Sequence, residues 1–289
     1  MRSTFSAQTD SLSMLKEAVK SNCTGIRYGI EFCEWKLPNQ KALEDAYNLI
    51  NHKNKDFTYI TPRVSDNSLE KIRGHLDFLN KMGKNSVVVN DLSIINILEQ
   101  YPNVKPILGR QLIYTPARCP WKQTTEYQVS FLTRRRVEKI FHMTNLNYEP
   151  TIRFFQNLGV NHVDIDWIPV CFQNYAFLVK NGLNVFVHLH LIPVTITRRC
   201  HTARFLKENE LEDCSKPCQT RAFLLKQDII NVHLTLHGNT VFKYIEPTRE
   251  EVKNLSKYNI SNFIFTMNPA TKIENQYQIN ALIDNLQNT

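Results

Sequence analysis

A chain of 289 residues with 42% hydrophobic content can bury a large core, and its 8 glycines and 12 scattered prolines argue against a linker or a disordered tail. The formal charge of +8 is moderate: it suits a small anionic substrate, RNA or an acidic partner and selects none of them. Nothing reaches the ~18 apolar residues of a membrane span, no basic segment and apolar core open the chain, and the seven cysteines are an odd count, so a reducing cytoplasm is expected over a disulfide-forming compartment.

Helix and strand signals alternate from there. Residues 10–22 open on Asp10-Ser11 as a cap and put Leu12, Leu15 and Val19 on one face, which predicts a helix. An apolar strand over 26–32 ends at Cys33. Residues 40–52 align Leu43, Tyr47 and Ile50 as a helix, and 57–64 are extended, with Pro62 near the end. The stripe Leu69, Ile72, Leu76, Leu79 marks a helix over 66–82, and 86–89 is the continuous apolar run of a strand covered on both faces. A helix over 91–99 and a strand over 106–109 follow.

Residues 115–148 are too long for one connection and contain Cys119, Pro120 and Trp121, so they are expected to form an insertion over one rim. Within them Arg134, Arg135 and Arg136 beside Val137, Ile140 and Phe141 predict the solvated face of an amphipathic helix rather than a nucleic-acid or partner contact. Helix 151–158, strand 162–165, helix 172–179 closed by Gly182, and strand 185–189 continue the cycle. Beyond a polar loop, 229–236 and 241–245 flank Gly238-Asn239 as a hairpin or as two barrel strands. Helix 248–258, strand 263–266 and helix 276–286 finish the chain. Repeated strand–helix units imply a parallel sheet with right-handed crossovers, and their number predicts an α/β fold of TIM type: one (β/α) barrel domain over 1–289, with the insertion at about 115–148.

Four cysteines stand out: Cys33 at a strand end, then Cys200, Cys214 and Cys218 in one polar loop about 170 residues later. In a parallel barrel both segments leave the same rim, the one where active sites are built. A short pair with distant partners is an iron–sulfur pattern, and the spacing is looser than the two tight pairs of a zinc ribbon. A 4Fe–4S cluster leads, with zinc and inert buried thiols as alternatives. Arg198, Arg199, His201 and Arg204 surround Cys200 and can offset thiolate charge, or simply form a solvated basic loop.

His188 and His190 alternate along the 185–189 strand, so both imidazoles are expected on one face, where Asp164 and Asp166 could complete a hydrolytic metal site; ordinary hydrogen-bonded interior residues are the simpler expectation. Glu31 and Asp91 are candidates to bind a polar substrate group, or strand-end carboxylates satisfied by neighbouring amides. Cys119 and Cys171 lack a Cys-His context for a nucleophile. There is no Gly-rich phosphate loop and no His-Glu-x-x-His motif.

Pro193-Val-Thr-Ile-Thr-Arg-Arg-Cys200-His-Thr-Ala-Arg204 followed by Glu212-Asp-Cys214-Ser-Lys-Pro-Cys218 resembles the cysteine loop of the UbiV branch of the collagenase-like peptidase family U-32. So do Gly29-Ile-Glu-Phe-Cys33, Val89-Asn-Asp91-Leu and Gly109-Arg-Gln-Leu-Ile-Tyr114, in order over most of positions 25–235. The resemblance implies a TIM-type barrel and a 4Fe–4S cluster on Cys33, Cys200, Cys214 and Cys218. It also implies a UbiU-like partner in a heterodimer and a part in oxygen-independent hydroxylation during anaerobic ubiquinone synthesis. Other members of the family hydroxylate RNA bases, some with prephenate as oxygen source, or are described as collagenolytic proteases. A stand-alone RNA-modifying or natural-product hydroxylase, or a peptidase, is therefore the alternative, with RNA the less favoured partner.

Overall fold

A computed structural model of the chain describes residues 3–118, 131–207, 214–225 and 233–287. Eight parallel strands close into a barrel: β1 (Thr4–Thr9), β2 (Gly25–Gly29), β3 (Asp56–Ile60), β4 (Asn85–Val89), β5 (Val104–Leu108), β6 (His162–Asp166), β7 (Asn184–His188) and β12 (Asn262–Thr266). β12 is inserted between β7 and β1, and β1 pairs with β2 to complete the circle. The predicted TIM-type α/β barrel is the fold.

Helices fill the crossovers: α1 (Leu12–Ala18), α2 (Gln40–Asn51), α3 (Asp66–Met82), α4 (Leu92–Ile97), then α5 (Phe131–Phe141) and α6 (Glu149–Asn157) together between β5 and β6, and α7 (Phe172–Lys180). Their starts are set by side chains that accept otherwise orphaned N–H groups: Asn39 from Ala42 for α2 and Asp91 from Ser93 for α4. Asp91, a candidate substrate contact by sequence, is thus a cap, and its second oxygen takes the Val64 N–H at 3.2 Å. Between β7 and β12 the chain adds β8 (Leu191–Ile196), α8 (His201–Phe205), β9 (Phe223–Leu225), β10 (Leu234–His237), β11 (Thr240–Tyr244) and α9 (Arg249–Ser256), which opens on a Thr248/Glu251 capping box. α10 (Gln276–Gln287) ends the described chain.

The expected strands change in two ways. β1, β8 and β9 were not predicted: in β1 alternate Thr4, Ser6 and Gln8 break up the apolar signal, while Phe5, Ala7 and Thr9 are buried on its other face. The pair around Gly238-Asn239 is a hairpin and not two barrel strands, because β8, β11, β10 and β9 form a separate antiparallel sheet of four strands; of the strand predicted over 229–236, residues 229–232 lie outside the described residues. The described parts of the polar cysteine loop lie beside that sheet, α8 between β8 and β9 in the chain and residues 214–225 ahead of β10. In the other insertion, Cys119, Pro120 and Trp121 lie outside the described residues, as does the Arg134 side chain; Arg135 and Arg136 are exposed on α5.

The core has two layers, as the strand alternation requires. Residues such as Phe5, Tyr59, Val87 and Val89 pack outward under the helices, whereas Ile60, Val88 and Ile107, aligned on β3, β4 and β5, form a small separate cluster. Opposite them the interior is polar. Arg27 of β2 reaches across to Asp164 of β6 at 2.7 Å, its guanidinium lies 4.6 Å from the centre of the Phe186 ring, and His188 Nε2 is 3.1 Å from the same Asp164 oxygen. No helix among the described residues is long and apolar enough to cross a membrane.

His75 of α3 packs on β3, its Nδ1 2.7 Å from the Tyr59 hydroxyl, and burial pushes its pKa down to about 4. A histidine held neutral in the fold but free to protonate when unfolded contributes stability that is full above about pH 6.5 and is lost as the pH falls towards 4. Urea unfolding at pH 7 and pH 4.5 should show a loss of up to about 3 kcal/mol from this group, and His75→Gln should flatten that part of the profile.

Candidate functional site

The barrel mouth at the C-terminal strand ends is organised by Arg110, fully buried just beyond β5. Its Nε and Nη2 donate to the two oxygens of Glu31 at 2.6 and 3.0 Å, and Nη1 donates to Asp166 at 3.0 Å and to the Leu191 carbonyl at 2.7 Å. Arg118 closes on the other Asp166 oxygen and donates to the Arg110 carbonyl at 2.8 Å. Two guanidinium groups and two carboxylates therefore balance in a largely buried site, the condition under which buried ions are tolerated. Burial alone would lower the Arg110 pKa, but Glu31 and then Asp166 outweigh it and the net shift is upward. Glu31 also accepts from Gln8 Nε2 at 3.1 Å.

Gly29 lets β2 leave the barrel here: its φ is +135°, and a Cβ on it would lie 2.3 Å from the Ile60 carbonyl oxygen. The chain then passes through Glu31 to Cys33, which starts a single 3-10 turn, Glu34–Lys36. On the facing side Leu191 begins β8, which leads to Cys200 at the start of α8. The hairpin turn ties the two arms together. Asn239 Nδ2 donates to the Phe32 carbonyl at 2.7 Å and to the Thr197 carbonyl at 2.9 Å, while the Gly238 carbonyl accepts from the Thr202 hydroxyl at 2.8 Å. His237 Nε2 lies 2.7 Å from the Cys218 carbonyl.

Cys33 lines one cavity at this rim with Cys218 and a second with Cys200, and Cys214 neighbours Cys200 and Cys218. Cys200 and Cys218 are buried, Cys33 and Cys214 half-buried. Burial pushes the Cys33 thiol up to about 11; the Trp35 N–H opposes this, and Cys218 and Cys200 add to it. Cys200 and Cys218 are raised first by burial, with Cys214 a neighbour of both. Backbone N–H groups point at the sulfurs: Ala203 to Cys200 and Lys216 to Cys214, each at 3.4 Å. Such donors favour thiolate over thiol and are the usual means by which a protein supports sulfur bound to iron. Among the described residues no three His, Cys, Asp or Glu side chains are gathered closely enough for one metal ion.

The other predicted residues fall elsewhere. His190 is not on the face of His188: β7 ends at His188, His190 turns away at φ +71°, and its ring stacks between Tyr244 and Phe265 with centroids at 5.6 and 5.8 Å. Asp164 and Asp166 are held by Arg27 and by Arg110 with Arg118, so the hydrolytic metal arrangement does not form. Cys171 is fully buried and Cys119 lies outside the described residues. Arg198, Arg199 and Arg204 are exposed and His201 half-buried. The buried cation beside the thiols is Lys36, which pairs with Asp10, the residue read from sequence as a helix cap. Lys36 had no signal of its own, Asn239 was legible only as a turn residue after Gly238, and Arg110 stood in the Gly109–Tyr114 segment of the resemblance without a role.

No protein-family model and no curated protein matches the chain. Among solved structures it is similar to a U32 peptidase at 11% identity, covering 92% of each chain with a TM-score of 0.45. It is also similar to a mutant tryptophan synthase α-subunit from Pyrococcus furiosus, at 10% identity over 98% of this chain and 97% of the other with a TM-score of 0.49. Dihydropteroate synthase from Thermus thermophilus gives 12% identity over 98% and 93%, with a TM-score of 0.44.

Arg110→Met leaves Glu31 and Asp166 buried with half their compensation gone and should cost about 3–5 kcal/mol, read by urea unfolding at pH 7. Arg110→Lys should recover only part, since one ammonium cannot replace the fork that spans both carboxylates.

Proposed function

We propose that the chain holds a 4Fe–4S cluster on Cys33, Cys200, Cys214 and Cys218 and serves as a UbiV-like subunit, beside a UbiU-like partner, in an oxygen-independent hydroxylation system of the cytoplasm. The meeting of four thiols from three segments at the barrel mouth, with backbone N–H groups directed at Cys200 and Cys214, supports this most. The resemblance of the cysteine segments to the UbiV branch supplies the assignment to hydroxylation.

A cluster ligated by four cysteines leaves no iron open to substrate and supplies one-electron transfer when bound. The chain's own residues do the rest. Arg110 fixes the directions in which β2 and β8 leave the barrel, Asn239 joins the two arms, and the Ala203 and Lys216 N–H groups would favour negative charge on the Cys200 and Cys214 sulfurs. Phe32 and Phe242, packed edge to face at 5.3 Å, are apolar walls beside Cys33. Burial of this kind weakens the field of solvent at the sulfurs and makes neighbouring charges count for more.

Protein purified without oxygen should carry about four iron and four sulfide per chain, with the absorption of an iron–sulfur centre. Serine replacement at Cys33, Cys200, Cys214 or Cys218 should each abolish it, and replacement at Cys23 or Cys171 should not. Full iron content in any of the first four variants would remove that residue from the ligand set, and iron-free wild-type protein would end the proposal.

A further inference from the structure

We propose that the cavity at the barrel mouth binds an uncharged ligand that enters it by a hydroxyl group, an alcohol, and that it rejects anions. The barrel strands supply one wall, with Gln8 of β1 and Thr266 of β12, and the two arms supply the other, with Cys33, Cys218 and the hairpin turn. Phe32, Phe242 and Met267 add apolar surface. The volume is about 50 Å³, which suits a head of about two or three heavy atoms and is too small for a ring. The site is built from groups of the chain alone and does not depend on iron being held.

The Asp, Glu, Lys and Arg side chains that line the cavity are already matched: Lys36 with Asp10, and Arg110 with Glu31 and Asp166. Arg118 takes the second Asp166 oxygen. Among these lining residues no cation is left for an anionic ligand, whose charge would be buried without a partner. The groups left over are neutral. Gln8 and Thr266 are register partners on β1 and β12, only 6% and 8% exposed, and Gln8 Oε1 and Thr266 Oγ1 are buried without a hydrogen-bond partner. Glu31 fixes which way the Gln8 amide lies, because a carboxylate only accepts and it takes the Nε2 hydrogen at 3.1 Å. A carbonyl oxygen and a hydroxyl left bare side by side are costly, and a ligand hydroxyl can donate to the first while pairing with the second. A carboxylate has no hydrogen to give Gln8, and an ammonium brings a charge that no free carboxylate meets.

Met267 reports occupancy: it is fully buried in this wall, and its N–H donates to the Gln8 carbonyl at 2.8 Å. Protein with isotope-labelled methionine methyl groups is purified without oxygen, assayed for iron, and titrated at constant ionic strength with ethanol, formate and ethylammonium. The exposed Met82 methyl serves as the reference for solvent effects. Ethanol should move the Met267 resonance saturably, and neither ion should. Thr266→Val should weaken ethanol about fivefold through the loss of one hydrogen bond, and Thr266→Ser should keep wild-type affinity. Tighter binding of formate or ethylammonium than of ethanol, ethanol binding that Thr266→Val leaves unchanged, or a Met267 methyl that answers no probe beyond the Met82 response overturns the proposal; in the last case the cavity holds water only. If Thr266→Val does not fold, the charge selectivity of the wild-type protein decides. Iron-free protein with a saturable ethanol response would end the cluster proposal alone, and iron-loaded protein without that response would end this site alone.

Discussion

The arrangement of the barrel mouth depends on the bracket that Glu31 and Asp166 place around Arg110. One guanidinium joins the exit of β2, the end of β6, the exit of β5 and the first residue of β8. A single planar fork can do this because its donors point in fixed, different directions, which no flexible ammonium reproduces. Both arms that carry cysteine start from groups in this bracket: Glu31 lies two residues before Cys33, and Leu191 opens the strand that leads to Cys200. The polar cost of the site is thus met inside the barrel, while the thiols sit above it in a more apolar layer of Phe32, Phe242 and the hairpin turn.

The four-stranded sheet is the second element of the design. It grafts antiparallel pairing onto a parallel barrel, so its hairpin can fold back over the mouth and place Gly238-Asn239 between the two arms. The Asn239 amide hydrogens are shared between one carbonyl from each side. An aliphatic residue there would leave both carbonyls without those donors. The architecture explains why residues so distant in sequence share one rim: the segment after β2, which carries Cys33, and the sheet that carries the later cysteines leave the same end of the barrel.

Much of this was legible in the chain itself. Period-3.6 stripes such as Leu69, Ile72, Leu76 and Leu79 fixed α3, and runs such as residues 86–89 marked strands buried on both faces; once the sheet was taken as parallel, Cys33 and the later cysteines had to leave the same end. What was hidden has physical causes. β1 interleaves the polar Thr4, Ser6 and Gln8 with Phe5 and Ala7 and lacks a continuous apolar run. His190 sits two residues after His188, which suggests one face, but a positive φ just past the strand end breaks the alternation. Asp10-Ser11 looks like a helix start, yet the Asp10 carboxylate gains more from a buried ammonium that lies 26 residues on. Long-range pairs of this kind leave no periodic trace.

The strand that closes the barrel, β12, enters between β7 and β1 only after the whole antiparallel sheet has been made. Synthesis from the N-terminus therefore brings Cys33 out of the ribosome long before Cys218, and a chain interrupted at any earlier point offers an incomplete set of sulfurs beside an open sheet edge. On the proposed iron–sulfur reading the set of thiols is complete only once the inserted sheet has been made, so the chain has to stay folded before any centre is loaded. The ion balance around Arg110, which owes nothing to the sulfurs, holds the barrel mouth together in that interval.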